Sequence, residues 1–141
     1  MLSIVLLMVG MGFLGQRRGQ YEAARDYIEQ VQAEAVAESG LQDALGKLAK
    51  DIGFPPLSSQ DQSEFVYSEV LRDADGDQVG VYRVTITVRY AIGPYRVVRI
   101  HSLGLLGEQR NPRATCTKLA EVDIDPNRTP FQVLFVTTNE N

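Results

Sequence analysis

Three carboxylates alternate along Asp73-Ala74-Asp75-Gly76-Asp77, the one cluster in the chain with ligand-like spacing. Carboxylates at alternate loop positions can converge on calcium, as at the first, third and fifth positions of an EF-hand loop. The sixth position here is Gln78 in place of glycine, and the twelfth is Val84 in place of a bidentate glutamate, so a full EF-hand is excluded. The plain alternative is an acidic hairpin turn built on Asp75-Gly76. His101 is the single histidine and falls in a segment that reads as a strand, where Arg96 and Arg99 read as solvated or paired rather than catalytic. No serine or cysteine stands in a recognisable nucleophile elbow, and no glycine-rich phosphate loop is present. An enzyme is not expected. Cys116 is alone, so no intrachain disulfide can form, and a lone strand cysteine reads as a small core residue.

The elements around these residues are more informative than the residues themselves. The chain has 141 residues, enough for one domain and an appendage. Its net charge is -4 and its 14 basic residues are scattered, which leaves no electrostatic footprint for nucleic acid. Residues 1–15, MLSIVLLMVGMGFLG, are uncharged and almost wholly apolar. A helix through them covers roughly 22 Å, less than the length that about 20 apolar residues give a spanning helix. A cleavable secretory signal fits poorly, since nothing basic precedes Leu2 and the run closes on Gly-Gln-Arg-Arg-Gly. Gly10, Gly12, Gly15 and Gly19 punctuate this stretch, each costing a helix about 1 kcal/mol relative to alanine. They predict a softened hinge around Gly12, Gly15 and Gly19, the least helical part of the first 50 residues once helices are bundled, and they also permit close helix–helix approach.

From Tyr21 onward the pattern is amphipathic. Ala24, Ile28, Val31 and Ala35 form one stripe, and Leu41, Leu45, Leu48 and Ile52 repeat its spacing. The two stripes do not share a line on an ideal helix, so the first is expected to face other helices and the second to cover a sheet. Gly53 and Pro55-Pro56 stop the helix near Lys50–Phe54.

The apolar half-helix Met1–Leu14 and the second half Ala33–Leu48, AEAVAESGLQDALGKL, together resemble the type IV pilin-like superfamily. The likeness is closest to X-type minor pilins and to the K-type pseudopilins of type II secretion, and it covers about the first 50 residues. It implies a structural subunit whose apolar tip (Leu2, Ile4, Val5, Leu6, Leu7, Val9, Phe13 and Leu14) packs in a filament core. The partners would be copies of itself or other pilins in a helical filament. The chain would sit in the bacterial inner membrane before assembly and then in a cell-surface, extracellular filament. The family's processing would remove a short basic leader and N-methylate Met1, which would reconcile Arg17 and Arg18 on the far side of the run with an external head. Most pilins carry a glutamate at the fifth mature position, whereas this chain has Val5; register would then rest on apolar packing and on Glu22 with Arg17, Arg18 or Arg25. Some pilin-like heads bind calcium, which keeps Asp73, Asp75 and Asp77 as candidate ligands; no other cofactor is implied. The alternative is a membrane-tethered β-head binding module that does not polymerise.

The remainder reads as β. Tyr82, Val84, Ile86, Val88 and Tyr90 alternate with Val81, Arg83, Thr85, Thr87 and Arg89, a strand over 79–90 with one wet face. Further strands are expected at Glu64–Arg72, Tyr95–Leu103, Ala114–Ile124 and Phe131–Thr137, with turns at Ile92-Gly93-Pro94, 107–112 and 125–127. The expected fold is α+β: residues 1–53 a long N-terminal helix, with 1–20 its membrane or filament-core segment, packed on a four- to five-stranded antiparallel sheet within a head over 54–141.

Overall fold

The computed structural model describes residues 2–51, 54–55, 63–88, 97–124 and 132–140, with residues 2–18, 132, 134, 135, 139 and 140 as backbone alone. One helix, α1 (Leu2–Lys50), precedes five strands: β1 (Glu64–Arg72), β2 (Gln78–Thr87), β3 (Val97–Glu108), β4 (Asn111–Asp123) and β5 (Gln132–Glu140). The sheet order β1-β2-β3-β4-β5 is that of a meander, every neighbour antiparallel. The fold is α+β, a helix on an antiparallel sheet.

Alternation dictates which side each strand residue takes. Tyr82, Val84, Ile86 and Val88 are buried, as the strand pattern predicts, and Tyr90 lies outside the described residues. Their partners across β3 and β4 continue the same face: Val98 with Val122, Ile100 with Ala120, and Gly104 with Cys116. On this layer Leu41, Ala44 and Leu48 of α1 close the main core, while Ala33, Ala37, Leu106 and Cys116 close a second. Cys116 is indeed a small core residue. Helix α1 lies against β3, β4 and β2.

Several boundaries move. Strand β3 runs past Leu103 to Glu108 and β4 begins at Asn111, so the hairpin between them turns at Gln109-Arg110 instead of across 107–112. The register shifts after Leu106, and Gly107 takes φ 88 there, opposite Pro112. A glycine in that left-handed region with a displaced ladder is how a strand accommodates an extra residue, and Pro112 needs no ladder donor at such a place. The outer face of β2 is not uniformly wet either. Val81 is buried, because its cross-strand neighbours are Val70 and Leu105.

Helix α1 is continuous through Gly10, Gly12, Gly15 and Gly19. The hinge predicted there concerns the assembled state. In the single chain, a helix already nucleated on both sides crosses a glycine without a new nucleation cost. The helix stops at Lys50, within the span that Gly53 and Pro55 predict, and Phe54 then folds back over the sheet edge. Its ring stands edge-on to Phe65, at 5.6 Å between centroids, and to Tyr67 at 6.4 Å.

Candidate functional site

Helix α1 presents two apolar faces to different surroundings. At about 3.6 residues per turn, Ala33, Ala37, Gly40 and Ala44 fall on one side, and Ala24, Ile28, Val31 and Ala35 fall about 180° away. The first side is the seat on the sheet, and it is made of small residues because the backbones nearly touch. A Cβ added at Gly104 would strike the Ala33 carbonyl and the Ala37 amide, and one at Gly40 would strike Ser102 Oγ and the Tyr82 ring. Buried Ser102 donates its hydroxyl to the Ala37 carbonyl oxygen at 2.7 Å, so the closest point is also hydrogen-bonded.

Charged side chains flank this seat. Lys118 shares the inward face of β4 with Cys116 and Ala120, and only 12% of its side chain is exposed. Its Nζ reaches Glu38 Oε2 at 2.8 Å and Glu34 Oε1 at 3.0 Å. The hydrogen bond from Lys118 holds the Glu38 carboxyl below its usual range. Burial pushes the Lys118 ammonium down, but its bonds to Glu38 and Glu34 outweigh that and raise it. Further along α1, Lys47 bridges Asp43 at 2.6 Å and Glu69 at 3.1 Å. Tyr67 donates to Asp43 Oδ2 and Tyr82 to Glu69 Oε2, and burial with these carboxylates raises both phenols. For Asp43, burial acts upward, while the bonds from Lys47 and Tyr67 carry the carboxyl below its usual value. Every buried side-chain nitrogen and oxygen among the described residues has a partner.

The opposite face has no such partners. Ala24, Ile28, Val31 and Ala35 are all exposed, Ile28 at 55% and Val31 at 46% of full accessibility. Tyr21 and Tyr27 flank them at 74% and 71%. Residues 19–28 are exposed on every side, so α1 leaves the head near Glu29 and Gln30. There Gln30 donates to the Thr115 carbonyl at 3.3 Å, and Arg25 pairs with Glu29 at 3.3 Å. Single exposed apolar residues are ordinary, but a contiguous stripe of them marks an interaction surface.

The remaining sequence candidates sort simply. The expected sheet-covering stripe holds wherever it is described: Leu41 and Leu48 are buried and Leu45, half-buried, packs against the same core, whereas Ile52 lies outside the described residues. Ala33, Val36, Ala37 and Ala44 complete that seat, and their small size hid them from a reading weighted toward large apolar side chains. Lys118 also escaped notice, although counting back two from Ala120 places it on the inward face. Asp73, Asp75 and Asp77 occupy the β1–β2 turn, where Asp73 Oδ1 accepts the amides of Asp75 at 3.0 Å and Asp77 at 2.9 Å. Gly76 takes φ 91 in this turn, and among the described residues no group of three His, Cys, Asp or Glu is placed to hold a metal ion. His101 is exposed on the outer face, and Arg99 pairs with Glu121 at 2.5 Å. Met1 and the side chains of Leu2, Ile4, Val5, Leu6, Leu7, Val9, Phe13 and Leu14 lie outside the described residues. Among the described residues, no helix is long and apolar enough to cross a membrane.

Compared with protein-family models, with curated proteins and with solved structures, the chain matches none.

Proposed function

We propose that this chain is a structural subunit of a type IV pilus-like filament or pseudopilus, assembling through α1 with copies of itself or related subunits. The bare apolar stripe Ala24–Ile28–Val31–Ala35, diametrically opposite the face that seats on the sheet, carries this reading. A helix that served only its own head would have one apolar face. This helix has a second, continued by the almost wholly apolar Leu2–Leu14, so it is built to enter a bundle. Burial of apolar area at about 25 cal/mol per Å² drives that association. The head then decorates the outside, clamped to α1 by Lys118, Lys47 and Ser102. Before assembly, Leu2–Leu14 rests in the inner membrane, and in the assembled state Gly12–Gly19 is the stretch that unwinds.

Introducing aspartate at Val9 or Phe13 tests the reading in the full chain. Sedimentation and negative-stain microscopy should show polymer for the native chain and none for either variant, while the head's thermal transition is retained. Native protein that stays monomeric in detergent-free buffer would overturn it.

A further inference from the structure

Strand β1 ends the sheet, and no described strand pairs with its outward side. Which main-chain groups it turns outward follows from one hydrogen bond. Val88 N–H donates to the Ser63 carbonyl at 2.9 Å, so these two residues, one step beyond the Glu64–Thr87 pair, oppose each other as a hydrogen-bonded pair. Alternation then turns the amides and carbonyls of Phe65, Tyr67, Glu69 and Leu71 toward β2, and those of Glu64, Val66, Ser68, Val70 and Arg72 outward. The irregularity near Arg72 leaves this pattern intact, because its extra residue, Val79, lies on β2. The side chains of the same five residues stand on the sheet face away from α1, and all are exposed, Val66 at 53% and Val70 at 47%. Neither proline nor lysine, which blunt many free edges, occurs in β1.

Read along the strand, the five outward residues are acid, valine, serine, valine and base, which turned end for end is its own complement. We infer that β1 pairs with β1 of a second copy, antiparallel and centred on Ser68. Ser68 then meets Ser68, Val66 meets Val70, and Glu64 meets Arg72 at both ends, each through main-chain groups that already point outward. Arg72 donates one nitrogen to the Gly76 carbonyl at 2.9 Å, and its other guanidinium hydrogens are the ones that reach Glu64 of the second copy. On the helix side, Phe65 meets Leu71. A slide of one residue opposes outward groups to groups already bonded to β2, so no ladder forms. A slide of two sets Val66 against Ser68 in one direction and against Arg72 in the other. The opposite edge strand, Gln132–Glu140, has Glu140 as its single charge and offers no such match. The two-fold axis of the pair stands perpendicular to the sheet, so both α1 helices lie on one face and run in opposite directions. Subunits of one filament share a helix direction, so on the filament reading this contact joins two filaments; the pairing itself does not rest on that reading.

The test uses the full chain in mild detergent, where pairing is read whether or not filaments form. Ser68→Cys is oxidised with copper phenanthroline, and dimers are counted on a non-reducing gel. In the inferred register the two Ser68 Cα atoms stand about 5.5 Å apart, inside disulfide range. Ser68→Cys should therefore give several-fold more dimer than the native chain, whose single thiol is the buried Cys116, and than Thr137→Cys on the opposite edge strand. Adding Glu64→Arg to Ser68→Cys sets arginine against Arg72 at both ends and should lower the yield several-fold, and adding Arg72→Glu to that chain should restore it. Dimer no greater than that of the native chain or of Thr137→Cys, or a yield indifferent to Glu64→Arg, would overturn the pairing. Ser68→Cys dimer in a chain that forms no sedimenting polymer once detergent is removed would uphold the pairing and overturn the filament reading alone.

Discussion

Residues 30–48 of α1 and residues 19–28 belong to one unbroken helix, yet they spend their side chains in opposite ways. The first stretch meets the sheet through Ala33, Ala37, Gly40 and Ala44, with Val36, Leu41 and Leu48 beside them. The second, with Val31 just above it, holds bulky Tyr21, Tyr27 and Ile28 in the open. At its closest approach to the sheet α1 thus uses small residues, Ala33, Ala37 and Gly40. Close seating on Gly104 and Ser102 requires small side chains, because larger ones would push the helix off the sheet. Large apolar side chains on the bare half have no such constraint from the head. Their size is suited to a partner that approaches at ordinary helix-packing distance, about 8–10 Å between axes.

The contrast breaks most severely at Gly104. Gly104→Leu forces the α1 backbone away from β3 and should cost about 3 kcal/mol or more of head stability, visible as loss of a cooperative thermal transition in circular dichroism. Gly19, with open space around its Cα, behaves in the opposite sense: Gly19→Ala should gain up to about 1 kcal/mol of helix propensity and leave the head's transition in place. Equal responses at the two glycines would mean that the halves do not differ in packing.

A smaller effect is expected at the clamp. Lys118→Met leaves Glu34 and Glu38 facing each other without a cation. Their partial exposure reduces the penalty expected of a fully buried pair to about 2 kcal/mol, measured by urea unfolding. Unchanged stability would show that the small-residue seat holds the helix unaided.

Acid gives the gentlest perturbation. The carboxyls of Glu38 and Asp43 titrate below their unfolded values, so the unfolded chain takes up their protons first as pH falls. Their stabilisation is complete above the unfolded carboxylate range, near pH 4, and is lost as pH drops through the lower folded values. Thermal midpoints between pH 6 and pH 2 should fall mainly below about pH 4, and less so in Lys118→Met than in the native chain.

How much of this was legible follows from the same contrast. Strand alternation is a strong signal, so β1 falls on its predicted residues and the buried row Tyr82, Val84, Ile86 and Val88 is read correctly. Hairpin ends are weaker signals. Gly107 and Pro112 read as a loop, whereas a shifted ladder with a left-handed glycine keeps both in strands. The bare stripe was visible because Ile28 and Val31 are large. The seat was visible only through Leu41 and Leu48, since alanine and glycine carry little hydropathy and their role depends on how closely Gly104 lets two backbones approach. Lys118 was obscured by its charge, which ordinarily marks a solvent-facing strand position; here two helix carboxylates make the inward position tenable.

The opposed-face helix is tested most directly by Ile28→Asp/Val31→Asp in the full chain, read by sedimentation velocity alongside circular dichroism melting. Both side chains are exposed, so the head's thermal midpoint should stay within about 2 °C of native, as surface substitutions do, while polymer disappears. Polymer that persists, or a head that unfolds, would contradict a helix divided between its own sheet and its neighbours.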